Sequence, residues 1–310
     1  MSAVFLAVIG LLLLLVDRAP KTGREKWQAF LFLLPALILT LIGFVIPIIS
    51  TAISSFTNAN GDWAGFSNFS WAFGNVEARK AIYNTLKWVI IAPIAATIIG
   101  LAYATVIDGV RGESFAKALV FLPTAISFVG AAIIWGLMYQ EPGLLPSGLV
   151  NVVLGWFHLG PLGFPTNSRS ITYLLIVVMI WIQAGFATVV LSAAIKGVPT
   201  ELLEAAKIDG ASAWQAFRRI TIPQIRPSLV VVLVTISVAT LKVFDLVQAF
   251  GAQQYGGDTL ANLMFTTFKQ AEPGTIGEHR SSTLAMLIFI LVVPFVAFQV
   301  RQMIDNRRVR

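Results

Sequence analysis

The sequence predicts an all-α, polytopic membrane helical bundle, and three observations predict it. Of 310 residues, 57% are hydrophobic and 12% charged, against about 25% charged in a typical soluble domain. Mean hydropathy is +0.81. Six apolar runs reach the about 20 residues a helix needs to cross a membrane. Each run must be helical, because hydrocarbon offers no partner for free backbone polar groups.

In chain order the six runs are Gln28–Ile53, Thr85–Ile107, Phe115–Met138, Ile171–Ile195, Ser228–Phe250 and Ser282–Val300. A shorter run, Ala3–Val16, precedes them. At about 1.5 Å per residue it reaches about 21 Å, and it spans only where Met1 and Ser2 join it or the bilayer thins. Its charges follow the apolar stretch instead of preceding it, so an uncleaved anchor with its N-terminus outside fits better than a cleaved signal peptide. The expected organisation is an anchor helix and basic segment over 1–27, a membrane domain over 28–304, and a basic tail over 305–310.

Lysine and arginine set the orientation. With the segment after Val16 inside, the inner set is Arg18, Lys21, Arg24, Lys26, Arg111, Lys117, Lys196, Lys207, Arg218, Arg219, Arg226, Arg301, Arg307, Arg308 and Arg310. The outer set is Arg79, Lys80, Lys87, Arg169, Lys269 and Arg280. This bias puts the loop between the fourth and fifth runs in the cytoplasm. The net charge of +7 therefore reads as membrane orientation, not nucleic-acid binding. Trp63, Trp71, Trp88, Trp135, Trp156 and Phe157 are expected in interfacial belts.

The cytoplasmic loop, 196–227, is well punctuated. Thr200 is an N-cap candidate, with Glu201 near the positive end of the helix dipole. Leu202, Leu203 and Ala206 form an apolar face. Gly210 stands where a left-handed residue ends a helix. Ser212 and Gln215 have capping-box spacing and open a second short helix. Trp214 and Phe217 share one side of it at i, i+3 spacing. Pro223 and Pro227 are expected to stop it before the next span. The pattern alone fits either a docking platform for a cytosolic partner or an amphipathic loop lying on the inner leaflet.

Glu204-Ala205-Ala206, Gly210 and Ile220-Thr221-Ile222-Pro223, extended by Asp209-Gly210-Ala211, Phe217 and Pro227, resemble the EAA loop of binding-protein-dependent ABC importer permeases. Ile222 stands where leucine is more usual. Asn84-Thr85-Leu86 and Phe244-Asp245 look like the carbohydrate branch, and Trp181-Ile182-Gln183-Ala184-Gly185-Phe186 with the extra N-terminal run is most similar to maltose or alpha-glucoside permeases. The glycine-rich stretch 251–258 departs from the branch's Gly-Gly-Pro loop. The resemblance implies a type I ABC importer permease fold of six core helices plus the N-terminal one. It also implies a cytoplasmic ABC ATPase dimer docked at Glu204, Ala205, Ala206, Asp209, Gly210, Ala211, Phe217 and Pro223. The further partners it implies are a second permease of different sequence, an extracytoplasmic solute-binding protein and a sugar.

No Gly-x-x-x-x-Gly-Lys-Ser/Thr is present, so ATP and magnesium are expected on the partner ATPase and no cofactor on this chain. Lys242 and Asp245 are read as i, i+3 within one span, either lining a polar path or pairing with each other. Gln183, Trp181, Phe186, Phe244 and Asp245 are the candidate substrate path, with helix packing the alternative for Trp181 and Phe186. His158 and His279 lack metal-ligand partners at useful spacing and read as surface or interface residues. Two rival functions are an ion-gradient transporter, which would want more intramembrane carboxylates, and a membrane enzyme, which would want an acid–base or nucleophile set.

Overall fold

The computed structural model describes residues 24–140, 148–159 and 170–308; the expected anchor Ala3–Val16 lies outside these. The described elements are helical, with one isolated antiparallel bridge between Thr57 and Trp63. Five helical stretches are long and apolar enough to cross a membrane: Glu25–Ser55, Val76–Ile107, Ile171–Lys196, Ala213–Leu241 and Ile276–Arg301. A sixth crossing is the bent pair Glu113–Ala125 and Phe128–Met138, turned through 98°. Hydropathy thus places six core crossings correctly, including the fourth to within one residue and the C-terminal ends at Ile107 and Met138, but misses other ends and the breaks.

The first crossing comprises α1 (Arg24–Thr40), a π turn over Leu41–Val45, and α2 (Ile46–Ser55). After α3 (Ser67–Gly74), α4 (Val76–Ile107) begins well before the expected Thr85. Its N-cap is Asn75, whose side chain accepts from the N–H groups of Glu77 and Ala78 at 2.9 and 3.0 Å. The third run is broken: α5 (Glu113–Phe121) passes into a 3-10 turn at Leu122–Ala125, and α6 (Phe128–Met138) restarts on the Ser127 cap. Short α7 (Leu149–Trp156) precedes α8 (Ile171–Lys196).

After the loop helices α9 (Thr200–Ile208) and α10 (Ala213–Ala216), a π turn over Phe217–Thr221 leads directly into α11 (Ile222–Leu241). Pro223 and Pro227 therefore do not stop the helix, contrary to expectation. Proline lacks an N–H and its ring clashes with the carbonyl four residues back. A π turn, whose bonds run to the fifth residue back, relieves that clash. Ile222 N–H bonds to Phe217 O in this way, just as Ile46 N–H bonds to Leu41 O before Pro47. Both wide turns thus precede an Ile-Pro pair.

The expected fifth span, Ser228–Phe250, is also corrected. α11 ends at Leu241, and α12 (Asp245–Phe250) is a separate short helix. A helix can end among apolar neighbours only where its free carbonyls find donors. Val243 N–H supplies one, donating to Thr240 O at 3.2 Å, and Thr259 Oγ1 donates to Val243 O within the break at 3.1 Å. Beyond a 3-10 turn at Ala252–Tyr255 come α13 (Leu260–Gln270) and α14 (Ile276–Arg308).

α8 is the central crossing: 56% of its most apolar window is buried, against 6% in the first crossing and 11% in the last. Two glycines let neighbours approach it. A Cβ on Gly100 of α4 would stand 2.4 Å from Ala187 Cβ, and one on Gly185 of α8 would stand 2.2 Å from Val120 O of α5. Trp88 and Trp135, expected at interfaces, instead pack in or against the core with Leu175, Met179 and Leu246, whereas Trp63, Trp156 and Phe157 are exposed.

The loops sort to two ends. One end holds 108–112 and 196–212, joined by ion pairs. The other holds 56–75 and 251–275. There His279 is buried, not on the surface: its Nδ1 lies 3.0 Å from Ser54 O and 3.2 Å from Thr57 Oγ1. Asn68 Nδ2 donates to Ser55 O and Thr57 O at 3.1 and 2.9 Å. These side chains satisfy the carbonyls that end α2.

Candidate functional site

The predicted platform folds as two short helices around a turn. Thr200 is the first helical residue of α9 rather than its cap; Pro199 precedes it and no side chain caps that end. Glu201 stands in the first turn. Gly210 has φ +78°, and two bonds close the helix around it: Gly210 N–H to Lys207 O at 3.1 Å and Ala211 N–H to Ala206 O at 2.9 Å. This is the bond pair of a Schellman ending. Ser212 and Gln215 form the complete capping box. Trp214 and Phe217 stack, with ring centroids 5.6 Å apart.

Of the platform residues, Ala206 turns inward against the bundle. Glu204, Ala205 and Asp209 are exposed, and so is Pro223. Ile208 is 86% exposed and Trp214 66%. The capped turn thus exposes an acidic pair and two large apolar side chains within one short stretch of chain.

The entry to the platform is tethered. Lys196, in the last turn of α8, lies 2.6 Å from Glu113 Oε1 and 3.7 Å from Asp108 Oδ1. Glu113 also pairs with Lys117 and accepts from Gly109 N–H at 3.2 Å. Three crossings thus meet in one charged knot beside the loop. No motif pointed to it; the spacing from 113 to 196 is invisible without the fold.

The five path candidates do not form one site. Gln183 and Phe186 line a cavity of about 350 Å³ at the break of the third crossing, with Thr124, Ser127 and Thr235. Trp181 instead packs edge-on against Trp135, centroids 5.6 Å apart. Phe244 meets Phe265 at 4.4 Å on the far side of the break after Leu241. Asp245 opens α12 and Lys242 ends α11; both are exposed, and the described ion pairs do not include them. The expectation that they share one helix and pair is therefore corrected: the helix breaks between them.

A polar cleft of about 810 Å³ lies beyond Phe265. Its wall is the segment 251–259, fixed from across the chain. Asn84 is buried in α4 and donates to both Gly256 O and Asp258 O at 2.9 Å. Thr85 Oγ1 accepts from Leu260 N–H at 2.9 Å. Asp258 Oδ1 accepts from Thr259 N–H and Asn262 Nδ2 at 2.8 Å each. Burial pushes the Asp258 carboxyl above its ordinary range, and these bonds only partly offset it. Asn84 and Thr85 stood out in the sequence by resemblance alone; their partners lie more than 170 residues away.

A family model described as the binding-protein-dependent transport system inner membrane component matches residues 80–310. An alpha-glucoside transport system permease protein of Rhizobium meliloti is 39% identical over 277 residues, covering 88% of this chain and 82% of the relative. An osmoprotective compounds uptake permease protein of Synechocystis is 35% identical over 284 residues, covering 90% and 100%. Among solved structures, a bacterial alginate ABC transporter in complex with alginate pentasaccharide-bound periplasmic protein has a chain that superposes with a TM-score of 0.76 at 26% identity, over 90% of this chain and 94% of its own.

Proposed function

The chain belongs to the binding-protein-dependent transport system inner membrane components, and from that premise we propose that it is the permease subunit of an ATP-driven importer carrying a sugar of the alpha-glucoside class. The sugar assignment rests on the relatives at 39% and 27% identity, whose names specify alpha-glucoside and trehalose/maltose transport. The subunit itself is non-catalytic; a separate ATPase dimer binds ATP and magnesium. A second permease and an extracytoplasmic solute-binding protein complete the assembly; the solute-binding protein is supported by the alginate transporter's complex with its periplasmic protein.

The observation that carries the coupling is the exposed Glu204, Asp209 and Trp214 on a turn fixed by Gly210 and the Ser212–Gln215 box. The second loop helix runs unbroken into α11, so Ala213–Leu241 is one rod. A partner that moves Glu204 moves this rod, and with it Phe244 and Asp245 beyond its far end. That is a rigid-body switch between two packings, driven by contacts that differ in the two states. Gln183, Thr124 and Thr235 offer hydroxyl and amide groups to a sugar, and Phe186 a ring, in the mixed polar and apolar lining typical of ligand sites.

The test is uptake by the reconstituted assembly carrying Glu204→Lys. Transport should be lost while membrane insertion and binding-protein contact persist. Accumulation by the unmodified assembly on an ion gradient without ATP would replace this reading with a secondary transporter.

A further inference from the structure

Resting on the sugar reading above, we infer that the cleft walled by Glu77, Lys80, Gln253, Asp258 and Lys269 is a second, outer sugar subsite taking a neutral, hydroxyl-rich pyranose unit. Nothing in the sequence assigned these residues. They come from four places in the chain: the first turns of α4, the 3-10 turn after α12, the short loop that follows it, and the end of α13.

Four features point to that ligand. First, the cleft holds about 810 Å³, within the range of about 300–1,000 Å³ for small-molecule sites. Second, its amide acceptors are unfilled: Gln248 Oε1 and Gln253 Oε1 are buried with no hydrogen-bond partner among the described residues. Buried polar atoms without partners are uncommon and call for a donor. Third, its cations are free. At the same end Lys87 sits over the Tyr83 and Tyr173 rings and Arg280 over Trp71, but among the described residues Lys80 and Lys269 have neither a ring nor an ion pair. Fourth, the two cations are matched by Glu77 and Asp258, so the lining carries no net charge to recruit an ion. Acceptors, donors and amides in one neutral cleft suit a ligand whose every hydroxyl both donates and accepts.

The cleft is preorganised. Asn84 and Thr85 hold the 256–260 backbone, so little ordering is left for the ligand to impose. It also reaches one of the path candidates, because Phe265 lines it and packs on Phe244. A longer oligosaccharide would place an outer unit here while its leading unit reaches Phe244.

The chain has no cysteine, so one introduced thiol reports on the cleft alone. In the reconstituted importer, with all partner subunits, Gln253→Cys is labelled by a membrane-impermeant maleimide in the presence of maltose or maltotetraose. Asn60→Cys, on the exposed turn at the same end, is the control. Maltotetraose should slow labelling at 253 about tenfold, equivalent to about 1.4 kcal/mol, and leave 60 unchanged. As a second measure, Lys80→Ala should raise the half-saturation for maltotetraose several-fold more than for maltose. Protection by the binding protein without sugar would overturn the inference, assigning the cleft to protein docking. Uptake of both sugars with no protection and no length dependence would also overturn it while the sugar function stands. An assembly that takes up neither sugar would instead sink the sugar reading and this inference with it.

Discussion

Lys196 and Glu113 stand 2.6 Å apart, one closing the central crossing and the other opening the broken crossing. The contact joins the platform's entry to the crossing whose kink lines the Gln183 cavity. Under the coupling proposed above, a displacement of the platform would reach that cavity by two routes: along the Ala213–Leu241 rod and through this pair.

A charge swap tests the second route. Lys196 is half exposed but Glu113 is only 17% exposed, so Lys196→Glu, which sets a third carboxylate beside Glu113 and Asp108, should lower thermal stability by like-charge repulsion. Sugar-stimulated ATP hydrolysis by the assembly should fall, and Lys196→Glu with Glu113→Lys should recover part of it. Equal loss in the single and double variants would mean that the pair does not transmit motion.

Gly210 separates folding from coupling. At φ +78° a Cβ is strained by about 1–2 kcal/mol, although nothing lies within 4 Å of it. Gly210→Ala should retain reduced uptake. Gly210→Pro cannot adopt that φ and also removes the N–H bonded to Lys207 O; it should abolish uptake with the protein still inserted. Ser212→Ala, which removes one half of the capping box, should cost about 0.5–2 kcal/mol locally and give an intermediate loss. Normal uptake by the proline variant would remove the platform from the mechanism.

How much of this was legible in the sequence depends on the range of the interactions. The six crossings were, because hydropathy sums over about 20 adjacent residues. The platform was too, since Gly210, Ser212 and Gln215 act within one turn of themselves. The breaks were not. Thr259 holds the Val243 carbonyl inside the break after Leu241, a contact from 16 residues away, and the third crossing leaves the α-helix just before Pro123 and turns at Ile126 and Ser127, an interruption that summed hydropathy does not register. Pro223 misled for a local reason: a π turn carries the helix past it. Gln183 and Asp245 looked like one path because composition cannot see that the Leu241 break parts them.

Asn84 shows how one long-range residue can hold a wall. Asn84→Ala would strip donors from Gly256 O and Asp258 O, at about 1–3 kcal/mol for each buried acceptor left unmade. The melting temperature in detergent should drop by several degrees. Thr85→Val, which loses the acceptor for Leu260 N–H, should act in the same direction. An unchanged melting temperature in both would show that the 256–260 wall is held by other contacts.

Asp258 makes stability depend on pH in a stated direction. Burial raises its carboxyl pKa in the fold, so the folded chain holds this proton more tightly than the unfolded chain. Its contribution is fully present below the ordinary carboxylate pKa and is lost as pH rises through the raised value. Asp258→Asn keeps an oxygen for Thr259 N–H and Asn262 but carries no charge. The variant should match the wild type at acidic pH and exceed it increasingly toward neutral pH in thermal melts. A constant difference across that range would mean that the carboxyl is not strained by burial.

Among the described glycines, Gly185 makes the closest approach to a neighbour. An alanine there would set its Cβ 2.2 Å from Val120 O and 2.9 Å from Phe121 Cα. Both are backbone atoms, so no side-chain rotation relieves the clash, and α5 must move away from α8. Overpacking of this kind costs about 1–3 kcal/mol. The displaced segment is the one that turns at Leu122–Ala125 and supplies Phe121 and Thr124 to the Gln183 cavity, so uptake should fall further than stability alone accounts for. Gly155→Ala is the matched control: it lies in a helix with nothing within 4 Å, where alanine is favoured by about 0.5–1 kcal/mol. Gly185→Ala should lower the melting temperature and the uptake rate, and Gly155→Ala should lower neither. If both variants behaved alike, the contact of the central crossing with the broken one would not be what shapes the cavity.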